Sequence, residues 1–195
     1  ISDETQKMGV LWSHTSGTTG LGLKFPESLE SLQREFAFRI HAYSWGGVQW
    51  KKRWAWCAGH PVAFYDRKTP PFWVHDFANN WLLMSSYHLS KQNLPHYIEK
   101  LAKFKPELLA GYPSSLYLLA RANSEMGKKV SLKALVTSSE TLFESQRKTM
   151  EDSFGCKVFD YYGNGERAAV ANQCEAGKYH LRTEYSYVEI LDNQN

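Results

Sequence analysis

From residue 90 onward, strand and helix signals alternate, and this alternation constrains the fold more than any other feature of the chain. Ser90 can cap a helix carrying Leu94, Ile98 and Leu101, which must end before Pro106. Leu108 to Ala110 is a short apolar run. A helix from about Ser114 carries Leu116, Leu119 and Ala120 and stops at Gly127. Ala134 to Thr137 is the next strand. Thr141-Leu142-Phe143-Glu144 has capping-box spacing and opens a helix that Gly155 closes, and Val158 to Tyr162 is a further strand. Strands separated by single helices run parallel, because the crossover returns the chain to the same end of the sheet. The expected class is α/β, a mostly parallel sheet flanked by helices. Ligands in such sheets bind beyond the carboxyl ends of the strands. Two turns therefore matter most: Ser138-Ser139-Glu140 and Gly163-Asn164-Gly165-Glu166.

In the first half, Pro26 suits a first helical turn and Glu27 and Glu30 favour its positive end. Leu29, Leu32, Phe36, Ile40 and Tyr43 then recur at helical spacing. Six of the seven tryptophans (Trp45, Trp50, Trp54, Trp56, Trp73, Trp81) fall in one stretch, which alternates in places and contains Pro61, Pro70 and Pro71. Short strands and loops are expected there, with the rings in the sheet core and against an N-terminal part of the protein. A base-stacking platform would come with a positively charged groove. Here Asp66 and Asp76 dilute the local lysines and arginines, and the net charge is only +3, so no nucleic-acid partner is expected.

Hydrophobic residues make up 43% and charged residues 22%, which excludes a disordered tail or a fibre. The apolar runs fall well short of the roughly 20 residues of a membrane span. Three widely spaced cysteines suit a reducing compartment better than a disulfide framework, so a cytoplasmic location is expected. The chain opens on Ile1 and stops after a strand-like run, Tyr185 to Leu191. Residues 1–195 read as a single domain cut from a longer protein.

Three turns could carry chemistry. In Thr15-Ser16-Gly17-Thr18-Thr19-Gly20-Leu21-Gly22-Leu23-Lys24, glycines let backbone N–H groups close on an anion, while hydroxyls and Lys24 add donors and charge. The P-loop pattern fails because Leu23 follows the second glycine of the pair, and the dinucleotide fingerprint fails at Phe25. Alone, the segment is equally a surface loop of small residues. In Asp160-Tyr161-Tyr162-Gly163-Asn164-Gly165-Glu166-Arg167, a tyrosine can stack on a flat base and a carboxylate can hold Mg²⁺ beside substrate phosphates. Alone, Glu166 and Arg167 read as solvated turn residues. Ser138-Ser139-Glu140 by itself is a turn ahead of a helix.

In this order, with Gly111-Tyr112-Pro113-Ser114 between them, the turns resemble the adenylate-forming superfamily. Its phosphate loop reads Thr-Ser-Gly-Thr-Thr-Gly, as residues 15–20 do. Its acidic turn reads Tyr-Gly-x-Thr/Ser-Glu, matched by Tyr162, Gly163, Asn164 and Glu166 with Gly165 at the hydroxyl position. The stretches from Gly111 and Tyr162, followed by Cys174-Glu175 and Tyr179-His180, are similar to the phenylacetate–CoA ligase and CapK-like branch, the latter attributed to capsular polysaccharide biosynthesis.

The resemblance implies part of the large N-terminal domain of an enzyme that activates a carboxylic acid with ATP. Acyl-adenylate and pyrophosphate form, and the acyl group passes to coenzyme A or another acceptor. It implies that Thr15, Ser16, Gly17, Thr18, Thr19, Gly20 and Lys24 hold phosphates, and that Ser138, Ser139, Glu140, Tyr161, Tyr162 and Gly163 line the adenine site. Glu166 would be the catalytic residue that holds Mg²⁺. Tyr87 and His88 fall where relatives place the acyl pocket. Cys174 and His180 are of zinc-ligand type, two short of a structural Zn²⁺ set. Lys24 lies one residue later than the family's lysine. The ribose-binding aspartate and the C-terminal domain with the adenylation lysine fall past Asn195, so the fragment itself is expected to be inactive. Two other readings stand beside this one: a degenerate homologue that binds nucleotide or a polysaccharide precursor without catalysis, and a binding module built on the aromatic stretch.

Overall fold

The computed structural model describes residues 10–14, 22–127 and 130–192. Its elements in chain order are β1 (Val10–His14), β2 (Lys24–Ser28), α1 (Leu29–Ser44), β3 (Trp54–Ala58), β4 (Trp73–Asp76), β5 (Trp81–Ser85), α2 (Leu94–Phe104), β6 (Leu108–Gly111), α3 (Pro113–Glu125), β7 (Ala134–Ser138), α4 (Glu144–Phe154), β8 (Lys157–Gly163), β9 (Val170–Gln173) and β10 (Tyr179–Leu181). Eight strands form one sheet in the order β10-β9-β8-β7-β6-β3-β5-β4, and β1 and β2 form a separate antiparallel pair.

The five central strands, β5, β3, β6, β7 and β8, are parallel, as the alternation of strand and helix requires. β4, β9 and β10 join antiparallel at the two edges. Strand alternation sorts the side chains into two cores. Ala55, Cys57, Leu82, Met84, Leu109, Leu135 and Val158 pack with α2, α3 and α4. Trp54, Trp56, Trp81, Leu108, Ala110, Val136, Phe159 and Tyr161 face Ala42 and Tyr43 of α1. The tryptophan-rich stretch is only partly interior: Trp54 is 1% exposed and stacks on its cross-strand neighbour Trp81 at 5.9 Å, whereas Trp50 is exposed.

Four local expectations need correction. The first helix begins at Leu29, not Pro26. Ser28 is its N-cap, accepting from the Ser31 N–H at 3.1 Å, while Pro26 and Glu27 belong to β2. Proline is tolerated there because each strand of a two-stranded pair has an edge outside the ladder. The helix expected from Ser90 starts at Leu94, after a turn in which Ser90 Oγ accepts from Asn93 N–H. The fourth helix, α4, is capped from Phe143, whose N–H donates to Gln146 Oε1, not from Thr141. Residues 185–191 form no strand, and the sheet ends instead on β9 and β10, which the sequence reading did not include.

Candidate functional site

A cavity of about 340 Å³ opens beyond the carboxyl ends of β3, β6, β7 and β8, on the α1 side of the sheet. Its floor is Trp56, Ala110, Val136 and Tyr161, and its rim comes from the turns that follow the strands: Gly59-His60, Gly111-Tyr112, Ser138-Ser139 and Gly163-Asn164-Gly165, with Arg167. Two of the three turns singled out in the sequence therefore converge on one space. Gly111 is required here, since a Cβ on it would lie 2.1 Å from the carbonyl oxygen of Cys57 on the neighbouring strand.

The wall from α1 is charged. Glu35 and Arg39, one helical turn apart, form an ion pair at 2.9 Å. Glu35 also accepts from the hydroxyls of Tyr161 and Tyr185, the latter at 2.7 Å. Burial pushes the Glu35 carboxyl up, but donation by Tyr161, Tyr185 and Arg39 outweighs it and holds the group below its ordinary range. Burial raises Tyr161 strongly, and its bond to Glu35 raises it further, so it stays a neutral donor. The Arg39 guanidinium lies 5.5 Å from the Trp56 ring centroid and 5.9 Å from that of Tyr161. His60 is held below its usual value by burial and by the charge of Arg39.

A second charged contact joins the β1–β2 pair to the acidic turn. Arg167 forms an ion pair with the buried Glu27 of β2, whose other carboxylate oxygen accepts from Ser13 Oγ of β1. The turn itself is held by Asn164, whose Oδ1 accepts from the Ala168 N–H at 2.8 Å. The two strands that flank residues 15–23 are thus tied to the acidic turn through Glu27 and Ser13. Thr15, Ser16, Gly17, Thr18, Thr19 and Gly20 lie outside the described residues.

The other expected site residues divide. Ser138, Ser139, Tyr161 and Gly163 line the cavity. Tyr162, next along β8, points away from it and is 61% exposed. Glu140 holds the N-terminus of α3, accepting from Ser114 N–H and Oγ, both at 3.0 Å. Glu166 is exposed and makes no hydrogen bond or ion pair among the described residues. A free carboxylate oxygen of this kind is what Mg²⁺ takes when it keeps most of its waters and substrate phosphates. Lys24 pairs across the hairpin with His14, and its Nζ sits 5.0 Å from the Trp12 ring centroid.

His88 is a satisfied interior histidine. Its Nδ1 bonds Ser85 Oγ at 2.8 Å, its Nε2 bonds the Phe64 carbonyl at 3.0 Å, and it stacks on Phe72. Tyr87 is half-exposed and donates to the Gly59 carbonyl at the cavity rim. Cys174 and His180 do meet: donation from His180, with help from the N–H groups of Lys178 and Ala176, lowers the thiol to about 7. No group of three metal-ligating side chains occurs among the described residues, so the pair does not extend to a zinc set there.

Glu35, Arg39 and Trp56 were not expected at the site, and Tyr112 and Arg167 were quoted within its turns without a role. A faint signal existed for the first two, whose i, i+4 spacing on a helix suits an ion pair, although that spacing usually marks a solvated face.

No family model matches the chain. Protein CapK of Staphylococcus aureus is 28% identical over 169 residues, which is 86% of this chain and 38% of CapK. A 2-hydroxyisobutyryl-CoA ligase, solved in the postadenylation state with R3-HIB-AMP, superposes with a TM-score of 0.62 at 14% identity. The match covers 88% of this chain and 36% of that one. An anthranilate CoA ligase in complex with anthranoyl-AMP superposes with a TM-score of 0.56 at 14% identity, over 87% of this chain and 32% of that one. The chain thus spans less than half the length of these relatives. No helix among the described residues is long and apolar enough to cross a membrane. The chain is thus similar to part of CapK and shares the fold of these two CoA ligases.

Proposed function

We propose that this chain supplies the nucleotide- and acid-binding floor of a cytoplasmic ligase that activates a carboxylic acid with ATP. A carboxylate oxygen attacks the α-phosphorus, the bond to the pyrophosphate leaving group breaks, and acyl-adenylate forms. The acyl group then passes to coenzyme A or another acceptor. The observation that carries this reading is the convergence at one cavity: the strand-end turns Gly111-Tyr112, Ser138-Ser139 and Gly163–Gly165 meet there, and Glu27–Arg167 ties the β1–β2 pair to the last of these turns. A cavity of about 340 Å³ also has the size of a small-molecule site.

In this reading Ser16 to Gly20 close on the phosphates, and Ser138, Ser139 and Tyr161 border the base. Trp56 and Tyr112 meet the acid, in place of His88, whose nitrogens are both engaged. Glu166 is the residue that would hold Mg²⁺, whose charge offsets that of the phosphates. Catalysis would rest on positioning and charge neutralisation.

A second reading, nucleotide binding without turnover, draws on Lys24, which is drawn to Trp12 and does not line the cavity. Exchange of labelled pyrophosphate into ATP by the protein that carries this chain separates the two. Mg²⁺-dependent exchange in the presence of an acid is expected. Calorimetric Mg-ATP binding that Gly17→Asp and Glu166→Ala both abolish, without exchange, supports the second reading. No Mg-ATP binding by the wild type overturns both.

A further inference from the structure

We propose that Arg167 is a polyphosphate-binding residue, presenting the Nε–Nη2 edge of its guanidinium to the anionic oxygens of a nucleoside triphosphate. The inference rests on the nucleotide reading above and assigns its main cationic contact. Arg167 lines the cavity, whereas Lys24 lies in the hairpin stem against Trp12. Its Nη1 is committed to Glu27 and lies 3.5 Å from the Gly165 carbonyl. Its Nε is buried and has no hydrogen-bond partner among the described residues, and Nη2 likewise has none. A guanidinium held by one end in this way leaves its side-on pair of N–H donors parallel and without acceptors among the described residues, the geometry that donates to two oxygens of one phosphate.

The surroundings keep that edge in place. Glu27 is itself fixed by Ser13, and both stand on the strands that lead into residues 15–23. The backbone of Arg167 is left-handed at φ 57°, and its N–H donates to the Asn164 carbonyl, so the turn sets where the side chain starts. A buried donor left without an acceptor is costly, and a phosphate oxygen is an acceptor of the right charge. Arg167 thus meets the phosphates from the acidic turn.

The test is calorimetric titration of Mg-ATP and of AMP into the protein that carries this chain, for wild type, Arg167→Lys and Arg167→Met. Thermal melts by circular dichroism establish that each variant is folded. The lysine variant retains a cation for the buried Glu27 but loses the fork. Both variants are expected to weaken Mg-ATP binding by about tenfold or more while AMP binding changes less than about twofold. Equal losses for the two nucleotides would mean that Arg167 only supports the turn, and unchanged Mg-ATP affinity would remove it from the phosphates. Either result overturns the inference and leaves the nucleotide reading standing. Absence of wild-type binding overturns both.

Discussion

The two faces of the sheet are built from the same strands by alternation, yet they differ in kind. Against α2, α3 and α4 the contacts are apolar, with Leu82, Leu101, Leu109, Leu116 and Leu135 all inaccessible to solvent. Against α1 the strands present rings, and among them lie a carboxylate, a guanidinium and two tyrosine hydroxyls in one hydrogen-bonded set. The first face can close completely because its few polar groups, such as the Tyr97 hydroxyl and Asn123, are satisfied within it. The second stays open toward the strand ends, because α1 brings polar groups that are satisfied on one side and exposed to the cavity on the other. An apolar closed core and an open polar cavity thus lie on opposite sides of one set of strands.

The largest expected effect comes from breaking the closed face. Leu116→Ala, at a fully buried site between α3 and the sheet, should cost about 2–5 kcal/mol. Chemical denaturation measures it, and nucleotide affinity of the remaining folded protein should not change. On the open face the effect is smaller and depends on pH. Glu35→Gln removes the charge that Arg39 opposes and places an amide among donors, at a cost of about 1–3 kcal/mol near neutrality. Because the folded Glu35 carboxyl lies below its ordinary value of 4.5, its contribution is complete above that value. It is lost as pH falls through the folded one. The melting temperatures of wild type and variant should therefore differ most at pH 7 and approach each other toward pH 3. Parallel curves would mean that the carboxylate is not the group that holds the network.

The closed face is also the one that the sequence made legible. β6, α3, β7, α4 and β8 follow from apolar runs separated by single helices, since both pattern and stop signals are local. The open face was harder to read because its decisive pairings join distant residues. Pro26 and Glu27 satisfy every local preference of a helix N-terminus, but Glu27 is the buried partner of Arg167, 140 positions away in the sequence, and so belongs to a strand. Tyr161 was expected to meet a base. That its hydroxyl also belongs to Glu35 depends on the packing of α1, which no local pattern reports. β9 carries Asn172 and Gln173 at buried positions, so it has no apolar run to announce it and exists because β8 offers it an edge. At the acidic turn the residue types were readable, whereas the left-handed Arg167 that aims one of them was not.

The smallest expected effect tests how sharply the two faces are divided at the site itself. Tyr161 and Tyr162 are neighbours on β8, and the sequence offers no reason to choose between them as the ring beside the base. Alternation chooses: Tyr161 is turned to α1 and the cavity, while Tyr162 stands on the other side with 61% of its surface exposed. Tyr162→Ala should change stability by no more than about 0.5 kcal/mol, since it removes an exposed ring away from any cap or core. Measured by melting and by Mg-ATP titration, it should also leave affinity within about twofold, as removal of a base-stacking ring would cost more. A larger loss of affinity would place the base on the α2–α4 side of the strand tip. The cavity on the α1 side would then belong to the acid alone, with Arg39 and Trp56 as its walls.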